Sequence, residues 1–159
     1  KAAHLDSGPR VLYTRIERSA CSCSGDELAM HSSIIKQFVQ QTLGCSCPQE
    51  VFDQIDYQKA GAGNFGGKIN VGGRLLVYII SMDEKSGLRE VINAALQQGV
   101  RERDEKGFNR FRLVLAASRP DELRSLAEQV FARSGEADGK AYLHVVSEAE
   151  VRGFDSSQR

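Results

Sequence analysis

The sequence predicts an α/β protein: a three- to four-stranded, mainly parallel sheet with crossover helices and an N-terminal helical pair. Three observations carry this. From residue 69 to 146 the chain reads strand–helix–strand–helix–strand, the order that builds a parallel sheet through right-handed crossovers. The run LLVYII is apolar at every position, as in a strand covered by helices on both faces. With 159 residues, one domain buries roughly two-thirds of its unfolded surface, so neither disulfide nor metal is required for stability.

The chain is therefore read as one domain over 1–159, with 1–25 a candidate extension and 148–159 a polar tail or short helix. RVLYTRIER (10–18) suits a strand, at a sheet edge. Between Asp26 and Leu43, the positions Leu28, Ile34, Ile35, Phe38, Val39 and Leu43 form a helical stripe. A shorter helix is expected at PQEVFDQI (48–55), then a Gly-rich loop over 60–68. INVGGRLLVYIIS (69–81) is read as one strand. The next helix has Leu88, Val91, Ile92, Ala95, Leu96 and Val100 on one face and Ser86 as its N-cap, and RERDEKGFNRFR (101–112) reads as its solvated end. FRLVLAA (111–117) is a strand. Ser118, Pro120 and Gly135 then supply cap, first turn and exit of a helix lined by Leu123, Leu126, Ala127, Val130 and Phe131. AYLHVV (141–146) closes the sheet.

Charge and hydropathy remove several function classes. Lys+Arg and Asp+Glu are 21 each, so the basic excess expected of a nucleic-acid binder is missing. No apolar run approaches the ~18–20 residues of a membrane span, and KAAHLDSGPR lacks the apolar segment of a signal peptide. Neither nucleic acid nor membrane is expected as a partner. Four cysteines do not make a disulfide scaffold at this size, so a cytoplasmic, reducing compartment is expected. The chain begins with Lys, as in a processed form or a fragment, and Met30 is a candidate natural start.

Two glycine motifs fail on context. GAGNFG (61–66) has the letters of a dinucleotide fingerprint, which must follow a strand and open a helix; here a helix precedes and a strand follows. AGNFGGKI resembles a phosphate loop but has Ala62 and Ile69 at two defining positions. The segment is a connector, or a mobile partner-binding loop.

The cysteines carry the remaining chemistry. All four lie in two Cys-x-Cys pairs, Cys21/Cys23 and Cys45/Cys47. Together they are candidate ligands for zinc or an iron–sulfur cluster, although structural zinc pairs usually enclose two to four residues. If 26–43 is one helix, its length of about 27 Å holds the pairs apart, and a single-chain four-cysteine site needs a break near Ser32–Ser33. In GCSCPQE, Cys47 at a helix N-cap would have its thiolate stabilised by the helix end, with Cys45 as resolving thiol. An i,i+2 disulfide between them is strained and hence readily reduced. In ACSCSGDE, Ser24 and Glu27 form a capping box that leaves Cys21 and Cys23 outside the helix.

His144, within a strand, reads as a hydrogen-bonded sheet residue, and the strand ends with Ser86, Ser118 and Arg119 are candidate anion sites. The functional expectation is thiol chemistry at Cys45 and Cys47. The pair would act as a redox or sulfur-relay couple, or as half of a metal site completed by a second copy or another protein. The alternative is a non-enzymatic binding module using the 60–68 loop or the strand ends, with inert cysteines.

Overall fold

The computed structural model describes residues 32–59, 65–136 and 138–155. The expected strand at 10–18, Met30, Cys21, Cys23 and residues 60–64 of the Gly-rich loop lie outside them. The protein is a mixed α/β fold around a five-stranded sheet of order β1-β2-β3-β4-β5. The strands are β1 (Ile55–Gln58), β2 (Phe65–Val71), β3 (Leu75–Ser81), β4 (Arg110–Ala117) and β5 (Ala141–Ser147). β3–β4 and β4–β5 pair in parallel, whereas β1–β2 and β2–β3 are antiparallel. The expectation of three to four mainly parallel strands is corrected to five in a mixed sheet.

Two local features account for the difference. Residues 69–81 are not one strand, because Gly72 and Gly73 both have positive φ (57° and 68°) and the Arg74 amide donates to the Val71 carbonyl at 3.0 Å. Positive φ at both central positions is the geometry of a two-residue hairpin turn, and only glycine adopts it without cost. The second is at 48–55, where the expected helix is a 3₁₀ turn (Gln49–Asp53) that runs straight into β1. The N-terminal helical pair is thus one helix and a turn.

The helices match their sequence signals more closely. We label as α1 the helical residues 32–42, whose last part, Phe38–Thr42, is a π-turn. α2 (Leu88–Lys106) takes in the first half of the charged run expected as a solvated helix end, but buries Arg103 on its last turns. Its N-cap is Gly87, in the left-handed region, and not Ser86. α3 (Pro120–Arg133) starts with Pro120 in its first turn, and Gly135 (φ 77°) provides the exit. α4 (Glu148–Val151) is opened by a capping box of Ser147 and Glu150. A 3₁₀ turn (Arg152–Asp155) follows it.

The sheet separates two apolar layers. Ile69, Val71, Leu75, Val77, Ile79 and Val114 face α1, Phe52 and Phe154. Leu76, Tyr78, Ile80, Leu113 and Leu115 face α2 and α3. β3 is buried at every position except Ser81, as its apolar run predicts. At the C-terminus, expected as a polar tail or short helix, α4 and the 3₁₀ turn are found, and Phe154 packs edge-on to Phe38 at 5.0 Å as a core aromatic. Beyond the core edge, Glu102 accepts hydrogen bonds from Lys68 (2.5 Å), Lys106 (2.7 Å) and the Tyr78 hydroxyl.

Candidate functional site: the Cys45–Cys47 pair and its arginines

The backbone leaves α1 through the π-turn, with the Leu43 amide donating to the Phe38 carbonyl at 3.1 Å. Gly44 then takes a left-handed φ of 64°, a conformation other residues adopt only with strain. This reversal drops Cys45 into the sheet-facing layer, where it is 7% exposed and its amide donates to the Val39 carbonyl at 3.1 Å. Cys47, two residues on, is only half-buried. The two sulfurs are bonded, at 2.11 Å.

The expected placement of Cys47 at a helix N-cap is not found. Pro48 precedes the 3₁₀ turn with an extended ψ of 148° and caps it with no side-chain bond. A five-residue turn lacks the aligned amides that would stabilise a thiolate. What the structure gives for the pair is therefore its bond and its surroundings.

Those surroundings are basic. Cys45 and Cys47 line a pocket of about 200 Å³ with Arg74, Leu75, Asn109 and Arg110. The Arg74 carbonyl accepts from the amides of Asn109 (2.8 Å) and Arg110 (3.2 Å), tying the β2–β3 hairpin to the start of β4. That tie brings both arginines to one opening. Two residues along β4, Arg112 is 6% exposed. Its Nη1 donates to the Leu43 carbonyl at 2.5 Å and lies 2.8 Å from His144 Nε2. Its guanidinium sits 5.0 Å from the centre of the Tyr142 ring. Its Nε has no hydrogen-bond partner among the described residues.

A buried guanidinium is ordinarily matched by a carboxylate, since an unpaired charge in a low-dielectric interior is costly. Arg112 has a carbonyl, an imidazole and an aromatic face instead, and burial followed by the Arg110 charge holds its pKa below the ordinary arginine value. His144 answers the same pressure. Burial first, and the Arg112 charge second, lower its pKa from 6.5 to about 4. The ring is therefore neutral at pH 7 and its Nε2 accepts from Arg112, as expected of a hydrogen-bonded sheet residue. In Arg112→Met, the His144 midpoint measured by NMR titration is expected to rise above 4 yet stay below 6.5, because burial remains. An unchanged midpoint would mean that the two residues are not coupled.

At the opposite end of the parallel strands, the candidate anion site at Ser118 is already taken by a side chain of the protein. Asp83 accepts from the Ser118 amide (2.7 Å) and hydroxyl (2.6 Å), so its own carboxylate occupies the start of α3. These hydrogen bonds hold the Asp83 pKa below its ordinary value.

Among the described residues no group of three or more His, Cys, Asp or Glu side chains is arranged to hold a metal ion. Cys45 and Cys47 would act as ligands only after reduction, with further donors from Cys21 and Cys23 or from another chain. Among the described residues no helix is long and apolar enough to cross a membrane. Sequence reasoning found the cysteines and missed the arginines. Arg110 and Arg112 read as the end of a solvated charge run, and only the pairing of β4 with β3 and β5 brings Arg110 to the cysteine pocket and Arg112 to the Leu43 carbonyl. No protein-family model, curated protein or solved structure matches the chain.

Proposed function

We propose that Cys45 and Cys47 form a reversible dithiol–disulfide couple that exchanges with a thiol entering the adjacent pocket. The observation that carries this reading is the asymmetry of the bonded pair: Cys45 is buried, while Cys47 is half-buried on the pocket wall.

Exchange proceeds by thiolate attack on one sulfur of a disulfide. An incoming thiolate attacks Cys47 Sγ, the Cys45–Cys47 bond breaks, and the electron pair leaves on Cys45 Sγ, which takes a proton from water. A second substrate thiolate then attacks the substrate sulfur of the mixed disulfide and releases the Cys47 thiolate. In sum, two thiols become one disulfide and the protein disulfide becomes a dithiol. Run backwards, the same steps reduce a substrate disulfide.

Single-cysteine variants test the assignment of roles. Cys45→Ser is expected to hold a mixed disulfide on Cys47 after treatment with oxidised 2-mercaptoethanol, located by peptide mass. In Cys47→Ser, the buried Cys45 is expected to react at least about ten times more slowly. Equal rates at the two positions, in variants with unchanged circular dichroism, would contradict the reading.

A further inference from the structure

We infer that the pocket beside Cys45–Cys47 is an anion site and that the thiol it admits is a small one carrying a carboxylate. The choice of a thiol rests on the exchange reading above; the anion site does not. The chain as a whole has no net charge, so a local excess of one sign needs a reason. None of the nine lining residues is acidic, and two of them, Arg74 and Arg110, carry guanidinium groups. Among the described residues, the arginines that form ion pairs, Arg103, Arg119, Arg124 and Arg152, lie in or beside helices. Neither Arg74 nor Arg110 forms an ion pair among the described residues.

Two residues on from Arg110 and on the same face of β4, Arg112 adds a further positive charge that Arg110 feels. It is buried and, among the described residues, has no carboxylate partner and an unsatisfied Nε. The Asn109 side chain adds neutral hydrogen-bonding capacity at the rim. A planar guanidinium pair matches a carboxylate in two-point contact, whereas an ammonium-bearing thiol would be repelled. Size narrows the class further. About 200 Å³ is below the ~300–1,000 Å³ of sites for drug-sized ligands. It fits a few heavy atoms, as in a short carboxylated thiol.

Three thiols of similar reach and different charge separate the possibilities: 3-mercaptopropionate, 2-mercaptoethanol and cysteamine. Rates of reduction of the Cys45–Cys47 bond are compared per thiolate, by quench and alkylation. Two guanidiniums in a solvated pocket are expected to favour the carboxylate over the neutral thiol by about tenfold at low salt. Cysteamine should be slowest, and added salt should compress the series. In the double variant Arg74→Gln/Arg110→Gln the order should collapse. Because both side chains are exposed, the fold should survive. Equal rates for the three thiols, or cysteamine fastest, would overturn the inference.

A second readout needs no exchange. Succinate, added to the wild type and to Cys45→Ser/Cys47→Ser, is expected to shift the Asn109 and Arg110 amide signals saturably, and not in the arginine double variant. If no thiol reduces the bond while succinate binds, the exchange reading falls and the anion site stands. If succinate does not bind, the anion site falls whatever the thiols do.

Discussion

Phe111→Ala is expected to lower the stability of the fold by about 3–5 kcal/mol, the range for deleting a fully buried aromatic ring. Phe111 is 0% exposed, stands edge-on to Tyr78 at 5.1 Å, and fills the layer between β4 and α2. The opposing residue is Gly99. A Cβ there would come within 2.1 Å of the ring, so α2 crosses the sheet this closely only because glycine stands at 99. Gly99→Ala gains about 1 kcal/mol of helix propensity. It is nevertheless expected to be net destabilising, because overpacking a rigid core costs about 1–3 kcal/mol or more, and the ring is held by Tyr78. The two changes should be strongly non-additive, since the alanine methyl enters the space the ring vacates. Urea midpoints of the two single variants and the double variant measure this. Additive losses would mean that α2 and Phe111 are not in contact as described.

The second large effect is on pH dependence. His144 has its pKa lowered from 6.5 to about 4 in the folded protein. Between those values the unfolded chain binds more protons at this site than the native one, so stability falls as pH falls. Above pH 6.5 the residue is neutral in both states and contributes nothing to the slope. For a partly accessible ring, the expected loss between pH 7 and 4.5 is about 2 kcal/mol. Burial raises the Glu102 pKa, but hydrogen bonds from Lys106, Lys68 and Tyr78 outweigh it and bring it to about 2. Its contribution is therefore present above 4.5 and lost towards pH 2, below the histidine window. His144→Gln, which keeps an acceptor for Arg112, should flatten the curve between pH 6.5 and 4.5 relative to wild type. An unchanged difference across that range would assign the slope to other groups.

Much of the second half of the fold was legible from local signals. The apolar run of β3, the stripes of α2 and α3, and Pro120 and Gly135 at the ends of α3 each reported their element without help from distant residues. The hairpin was also written in the sequence: GG between two β-branched runs is a two-residue turn signal, and it was read through because both flanks were strand-like. β1 was harder. IDYQ is four residues long, with only Ile55 and Tyr57 on its inner side, and its pairing with Lys68–Val71 is what makes it a strand. Phe154 and Arg112 were hidden for the same reason, since their burial comes from distant residues, Phe38 of α1 over the first and Leu43, Tyr142 and His144 around the second.

The candidate site divides along the same line. Cys-x-Cys spacing is local and drew attention to Cys45 and Cys47. The arginines and the absence of a helix cap depend on how β3, β4 and the end of α1 converge. Helix-start chemistry in CSCPQE predicted a cap at Cys47. It lost to a chain that must turn after Asp53 to enter β1, leaving room for only one 3₁₀ turn.

The central claim is that Cys45 and Cys47 change state together as one couple in the folded protein. The direct measurement is a redox titration of the intact protein in mixtures of reduced and oxidised 2-mercaptoethanol, with differential alkylation read peptide by peptide. The expected result is that Cys45 and Cys47 pass from alkylated to bonded in a single two-electron transition, about 30 mV per tenfold change. That midpoint should be the same for both residues and independent of Cys21 and Cys23. Two thiols that stay free at the oxidising end, or that titrate separately, would contradict it.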